Sequence, residues 1–323
     1  MISLMKNVLV TGGAGFIGAN LVRRLLADGF GVHLLLKKGY RRWRISNILA
    51  DVCVHSSNLQ DKKKLIKILK QVKPVSIFHL AAYGAYSHQN DFELTVKTNI
   101  MGTFNLAMAA IEAGYGSFVH VGSSSEYGFK DHAPKEDEAL EPNSYYALTK
   151  ATASMLICYL ASMHTFNPVI LRPYTVFGPW EEPTRLIPGL IVCGLEGKLP
   201  RLVSPTISRD FVYVDDFVDA CCLAARKAPQ HKGKIYNVST GIQLSIKDAV
   251  DFTRRYLGVR QEPKWGSLPP KTWDTNIWVG DSRKIRKELA WKPRFSFEEG
   301  FKQTVKWFKE NESVLKYYKK SKA

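Results

Sequence analysis

Tyr146 and Lys150 stand four residues apart in Tyr146-Ala-Leu-Thr-Lys150, and Gly122-Ser-Ser-Ser-Glu-Tyr-Gly128 lies about twenty residues upstream. If Ser144 to His164 forms a helix, the phenol and the ammonium share one face and can meet over a common ligand. A free tyrosine ionises at about pH 10, too high for proton transfer near neutrality, and a fixed cation beside it lowers that value. A hydroxyl from Ser124 can polarise the same substrate oxygen, and Glu126 offers a carboxylate able to remove a proton next to a keto group. This chemistry is proton transfer at a carbonyl or alcohol carbon. A Tyr-x-x-x-Lys match alone is common on exposed helices, so the reading rests on the elements around it.

Residues 7–18 read Asn-Val-Leu-Val-Thr-Gly-Gly-Ala-Gly-Phe-Ile-Gly, an aliphatic strand, a glycine turn and a helix opening at Phe16 and Ile17. Gly12 allows the tight turn, Gly15 lets backbone approach a pyrophosphate, and Gly18 lets helix pack on strand. A second apolar strand, Gly31 to Leu36, ends at Lys37-Lys38, where a dinucleotide fold selects its cofactor. A carboxylate there would bind a ribose 2′-hydroxyl, whereas Lys37, followed by Arg41, Arg42 and Arg44, suits a 2′-phosphate. NADP is therefore expected, with NAD possible. The competing reading is a solvated basic loop.

The alternation continues with strands at 52–55, 75–80, 118–123 and 168–171, separated by helices at Asp61–Val72, Asp91–Ala113 and Ser144–His164. Strands alternating with helices predict right-handed crossovers and an α/β fold, a Rossmann-like doubly wound parallel sheet. Ligands then lie beyond the strand ends, which read Asn58-Leu59, Ala81-Ala82-Tyr83, Ser123-Ser124 and Arg172-Pro173-Tyr174. Residues 128–143 form an acidic, proline-containing loop read as a surface flap. After Arg172 prolines interrupt the pattern, with one helix between, Thr184 to Val192. The expected division is a dinucleotide-binding domain at 1–172 and 210–243 and a smaller C-terminal substrate-binding domain at 173–209 and 244–323. Trp265, Trp273, Trp278 and Trp291 crowd that later part, one or two of them candidates to stack on a nucleobase, and the basic tail from Lys316 is expected to fray.

Seven motifs occur in one order: the glycine turn, His79-Leu-Ala-Ala82, Asn99 in Thr-Asn-Ile-Met-Gly-Thr, Ser-Ser-Ser-Glu-Tyr-Gly, Tyr146-x-x-x-Lys150, Arg172-Pro-x-x-x-x-Gly-Pro179 and Arg209-Asp-Phe-Val-Tyr-Val-Asp-Asp216. In this the chain resembles the extended short-chain dehydrogenase/reductases of the NAD-dependent epimerase/dehydratase family, which act on nucleotide-diphosphate sugars. The resemblance runs from about Asn7 to Pro293. It implies Tyr146 as general acid/base, Lys150 on the nicotinamide ribose, Ser124 on the reacting oxygen and Asn99 as support for the active-site helix. It also implies cofactor contacts from Gly12, Gly15, Phe16, Ile17, Gly18, Lys37, Arg41, Asn58, Leu59, Ala81, Ala82, Tyr83, Asn99 and Pro173. Asn58 departs from the usual Asp at the adenine, although an amide still hydrogen-bonds. Substrate contacts fall to Ser125, Arg185 and Arg209, the last on the diphosphate, with a structural salt bridge to Asp215 or Asp216 as the alternative. In relatives the two long helices build a four-helix interface, so a homodimer is expected.

Three activities compete: an NADPH-dependent reductase of a nucleotide-linked 4-keto sugar, an NAD-retaining epimerase or 4,6-dehydratase, and a binding protein of the same fold. The 4,6-dehydratases carry an aliphatic residue between the Glu and Tyr-Gly; here it is missing, a form that resembles the GDP-4-keto-6-deoxymannose reductases. Glu126 keeps the dehydratase reading open. A net charge of +17 is spread along 323 residues in short clusters, which favours anionic small molecules over nucleic acid. Five cysteines show neither pairing nor metal-ligand spacing, so no metal is expected. No apolar run approaches a membrane span and a strand starts almost at the N-terminus, so the expected setting is cytoplasmic.

Overall fold

A computed structural model describes residues 6–86, 88–115, 117–269, 271 and 273–321. Six strands, β1 (Asn7–Thr11), β2 (Gly31–Leu36), β3 (Cys53–Ser56), β4 (Ser76–His79), β5 (Ser117–Val121) and β6 (Asn167–Pro173), join a seventh, Lys234–Val238, in one sheet. Its order is Lys234–Val238, β6, β5, β4, β1, β2, β3, and every pair is parallel. Chain order reverses between β1 and β4, so the crevice for a ligand opens beyond their carboxyl ends.

Because a strand has a period of two, neighbours in β1 serve opposite faces. Val8 and Val10 pack with Leu21, Val22 and Leu25 of α1 (Phe16–Ala27) and with Phe217 of the helix Val214–Lys227. Leu9 packs with Leu65 and Leu69 of α2 (Lys62–Val72) and with Leu106 and Ile157 from the two long helices. The first of those helices is interrupted. Phe92–Val96 (α3) passes through a π-helical turn, Lys97–Met101, before continuing as α4 (Gly102–Glu112). The second, α5 (Tyr145–Met163), is capped by Ser144, whose hydroxyl accepts from Ala147 N at 3.2 Å and so sets Tyr146 in the first helical turn.

The C-terminal helices Leu186–Gly194, Ile246–Leu257, Arg283–Leu289 and Phe297–Glu310 bring Leu190, Phe252, Phe297 and Phe301 into the same apolar cluster as α1. Two expectations are corrected. The tail from Lys316 does not fray: Glu312–Lys320 is a helix whose Tyr318 is fully buried, packs on Phe308 and Trp43, and donates to the Glu181 carbonyl. The loop 128–143 is no loose flap. Glu136 accepts from Asn237 N at 2.9 Å, Asn237 Nδ2 donates to Pro134 O at 2.9 Å, and Arg172 Nη1 reaches Glu136 O at 3.3 Å, which pins the loop to the sheet edge. Among the described residues no helix is long and apolar enough to cross a membrane.

Candidate active site

The glycine turn is built as its spacing demands. Gly12 has φ +70°, and a Cβ there would lie 2.6 Å from Ala81 N; one on Gly18 would lie 2.2 Å from Gly12 O. Gly15 caps α1 with no side-chain hydrogen bond and no acidic residue in the first turn, so its N–H groups and positive dipole end are available to an anion. Bare backbone at a helix N-terminus, packed too tightly for side chains, fits a dinucleotide diphosphate.

Behind it runs a buried relay. Thr103 donates to Asn99 O at 2.6 Å, so its oxygen accepts from His79 Nε2 at 2.8 Å; His79 Nδ1 then accepts from Thr11, which itself accepts from Ala81 N at 3.2 Å. Burial lowers the His79 pKa to about 3, so the imidazole stays neutral in this tautomer. Asn99, in the π-helical turn, accepts from Tyr83 N and donates to Tyr83 O, both at 2.8 Å, and donates to Thr149 on α5 at 2.9 Å. It therefore ties the end of β4 to the active-site helix directly. Ala82 is exposed on the same strand end. Leu59 is buried against Gly102, and Asn58 is exposed after β3, its Oδ1 accepting from Gln60 N at 3.1 Å.

A cleft of about 520 Å³ opens beside the turn. Phe16, Ile17, Ser123, Ser124, Ser125, Tyr146, Pro173, Arg185 and Arg209 all line it, which brings together the predicted catalytic hydroxyls and the predicted substrate arginines. Arg209 pairs with Asp274 at 2.7 Å, not with Asp215 or Asp216, and its guanidinium lies 5.9 Å from the Trp278 ring centre. Arg185 donates to Ala85 O at 2.9 Å and stacks over Tyr86. Sequence reasoning missed Tyr86, Gln89 and Glu181, which also line the cleft. Glu181 is buried, one carboxylate oxygen has no hydrogen-bond partner, and burial raises its pKa to about 8. Of the four C-terminal tryptophans, Trp273 and Trp278 line the cleft, while Trp291 is core, its Nε1 donating to Asp216 O.

Three expectations change. Lys150 is buried and its ammonium donates to Val121 O at the end of β5. Burial pushes the Tyr146 pKa up to about 12, with the nearby Ser123 hydroxyl opposing the rise, and lowers Lys150 to about 8. Glu126 does not face the cleft. It is fully buried as the third residue of a capping box, accepting from Ser123 N at 2.8 Å and Ser154 at 3.0 Å, while its other oxygen holds Arg172 Nε at 2.8 Å. Arg44, grouped by sequence with the cofactor arginines, is also withdrawn: it is buried against Trp180 O and Glu182, each at 2.7 Å. Arg41 leans toward Glu182 at 3.7 Å, whereas Lys37 is exposed and has no partner among the described residues.

Residues 8–239 match the model of the NAD dependent epimerase/dehydratase family. The chain is 33% identical to a UDP-glucose 4-epimerase of Mycolicibacterium smegmatis over 93% of its own length and 98% of that protein. It superposes with a TM-score of 0.85 on the crystal structure of UDP-glucose 4-epimerase from Thermotoga maritima with UDP-glucose, at 28% identity over 94% of this chain and 99% of that one. The score is again 0.85, at 28% identity over 95% and 98%, for dTDP-glucose 4,6-dehydratase from Streptomyces venezuelae with NAD bound. With the Rossmann order, the glycine turn and the serine and tyrosine hydroxyls of the cleft in place, this chain belongs to the NAD dependent epimerase/dehydratase family.

Proposed function

We propose that the protein reduces a nucleotide-diphosphate-linked 4-keto sugar with NADPH. The observation that carries this reading is Glu126: the one carboxylate of the serine motif, which an elimination would need as its base, is consumed by Arg172, Ser154 and the Ser123 amide. Two further features support it. The second strand ends in Lys37 with no carboxylate for a ribose 2′-hydroxyl. Tyr146, with its pKa near 12, is protonated throughout the neutral range, the form a reduction asks of its acid.

A nicotinamide cofactor held at the glycine turn would supply the hydride to the keto carbon. As the oxygen gains charge, Tyr146 gives it the phenolic proton and Ser124 donates a hydrogen bond; donors already aimed at that oxygen stabilise the transition state more than the ground state. Ser123, close enough to oppose the rise in the phenol's pKa, stabilises the phenolate left behind, which solvent then reprotonates. Lys150, anchored on Val121 O, would hold the nicotinamide ribose. Arg209 and Arg185 take the diphosphate, and Trp273 or Trp278 the base.

The second reading is an NAD-retaining 4-epimerase, favoured by the 33% identity to one. Stoichiometry separates the two: the reductase consumes one NADPH per 4-keto sugar. Conversion of a sugar nucleotide with no net change in the nicotinamide absorbance would replace reduction by epimerisation.

A further inference from the structure

Away from the cleft, on the sheet edge, β2 and β3 run parallel with His33 opposite Cys53 and Leu35 opposite His55. His33, Leu35, Cys53 and His55 thus project from one face, because residues two apart in a strand share a side and register partners point alike. His33 Nδ1 and His55 Nε2 are 2.9 Å apart, their rings stack at 5.2 Å, and the Cys53 thiol joins them so that all three ligand atoms lie within 4.8 Å of one another. Two imidazole nitrogens and a thiol this close, on two adjacent strands, make a candidate metal-ligand triad.

We propose that His33, Cys53 and His55 bind one zinc-class divalent ion, with solvent as the fourth ligand. A sulfur and two imidazoles form a borderline-soft donor set, and tetrahedral bonds of about 2.0–2.3 Å to N and S require ligand atoms somewhat under 4 Å apart. The present spacings, from 2.9 Å between the two nitrogens up to 4.8 Å within the cluster, bracket that distance. Binding releases one proton, from Cys53, and shifts the proton shared between the rings to a nitrogen facing away from the metal. Cys53 is exposed, which gives the ion a way in.

The consequence is mechanical. β3 is the last strand of the sheet, and a metal would rivet it to β2 just before the Lys37 and Asn58 ends of the two strands. The triad is separate from the residues assigned to reduction, so its test does not depend on that assignment.

The test uses the untagged full-length protein titrated with Co²⁺ as a spectroscopic probe and then Zn²⁺ as competitor. The expected result is one Co²⁺ per chain, with a thiolate-to-cobalt charge-transfer band and intense tetrahedral visible bands, both bleached by Zn²⁺. Zn²⁺ should also raise the melting temperature by a few degrees. Cys53→Ser, at an exposed position, should abolish the charge-transfer band and weaken binding at least about tenfold, since losing a ligand costs no less than losing an outer-shell partner. His33→Ala/His55→Ala should abolish binding. Absence of the band in the parent protein, or its survival in Cys53→Ser, would overturn the site and leave the histidines a cross-strand hydrogen bond.

Discussion

Glu126 and Lys150 illustrate opposite uses of a buried charge. Glu126 and Arg172 are a fully buried pair, so removing one partner strands the other; Glu126→Gln should cost about 3–5 kcal/mol of stability, read by denaturant unfolding. If it lowers turnover instead and leaves stability intact, Glu126 is a base after all. Lys150 is the reverse case, since burial lowers its pKa from 10.5 to about 8. Below pH 8 folded and unfolded chains are both protonated and the folded state bears the full desolvation cost. Between about 8 and 10.5 the unfolded chain binds more protons, so stability from this group rises with pH. Lys150→Met should therefore abolish activity yet melt higher than the parent at pH 7, the gap narrowing toward pH 10; a lower melting temperature at pH 7 counts against a costly ammonium. Tyr146→Phe should cut turnover roughly 10²-fold to 10⁴-fold with cofactor affinity nearly unchanged, measured by steady-state kinetics beside cofactor titration.

At the scale of elements, the proposed choice of NADPH rests on the end of β2. Glu182 draws Arg44 inward and holds Arg41 at 3.7 Å, so the proposed preference for a 2′-phosphate would fall chiefly on Lys37. Lys37→Asp should then narrow or reverse the ratio of NADPH to NADH affinity, whereas Arg44→Ala should destabilise the Trp180 segment without moving that ratio. Equal affinity of the parent for both cofactors would remove the NADP assignment. The Asn99 turn works between elements: one amide joins the end of β4 to Thr149 on α5. Its π-helical geometry interrupts a helix that periodicity alone reads as continuous.

For the whole molecule, Leu148, Met155, Tyr159 and Met163 form an exposed stripe along α5 at helical spacing, with Tyr145 packed on Phe92 and Met101 exposed nearby on the neighbouring helix. Contiguous apolar surface of this kind marks an association face. We propose that it pairs with its own copy through a twofold axis, giving a homodimer. Light scattering at micromolar concentration should report twice the chain mass, and Met155→Glu/Tyr159→Glu should return it to the monomer; a monomeric parent protein contradicts the interface.

What the amino-acid order determined by itself was local. Gly12 needs a positive φ and Gly18 an absent Cβ within a few residues of each other, four-residue spacing puts Tyr146 and Lys150 on one helix face, and alternating strand and helix patterns dictate a parallel sheet. Each depends on backbone geometry over at most a few turns. Side-chain direction does not. Glu126 faces inward because Arg172, 46 residues away, meets it there, and Lys150 turns to a carbonyl 29 residues earlier. Arg44 is drawn off by Glu182, and Trp273 rather than Trp291 reaches the cleft because of how the C-terminal helices pack. The His33, Cys53 and His55 cluster has no sequence signature, since its ligands lie on two strands joined by a long crossover and meet only through sheet register. Tertiary structure decides such things because a charged or polar side chain leaving water must find its partner wherever the fold brings one.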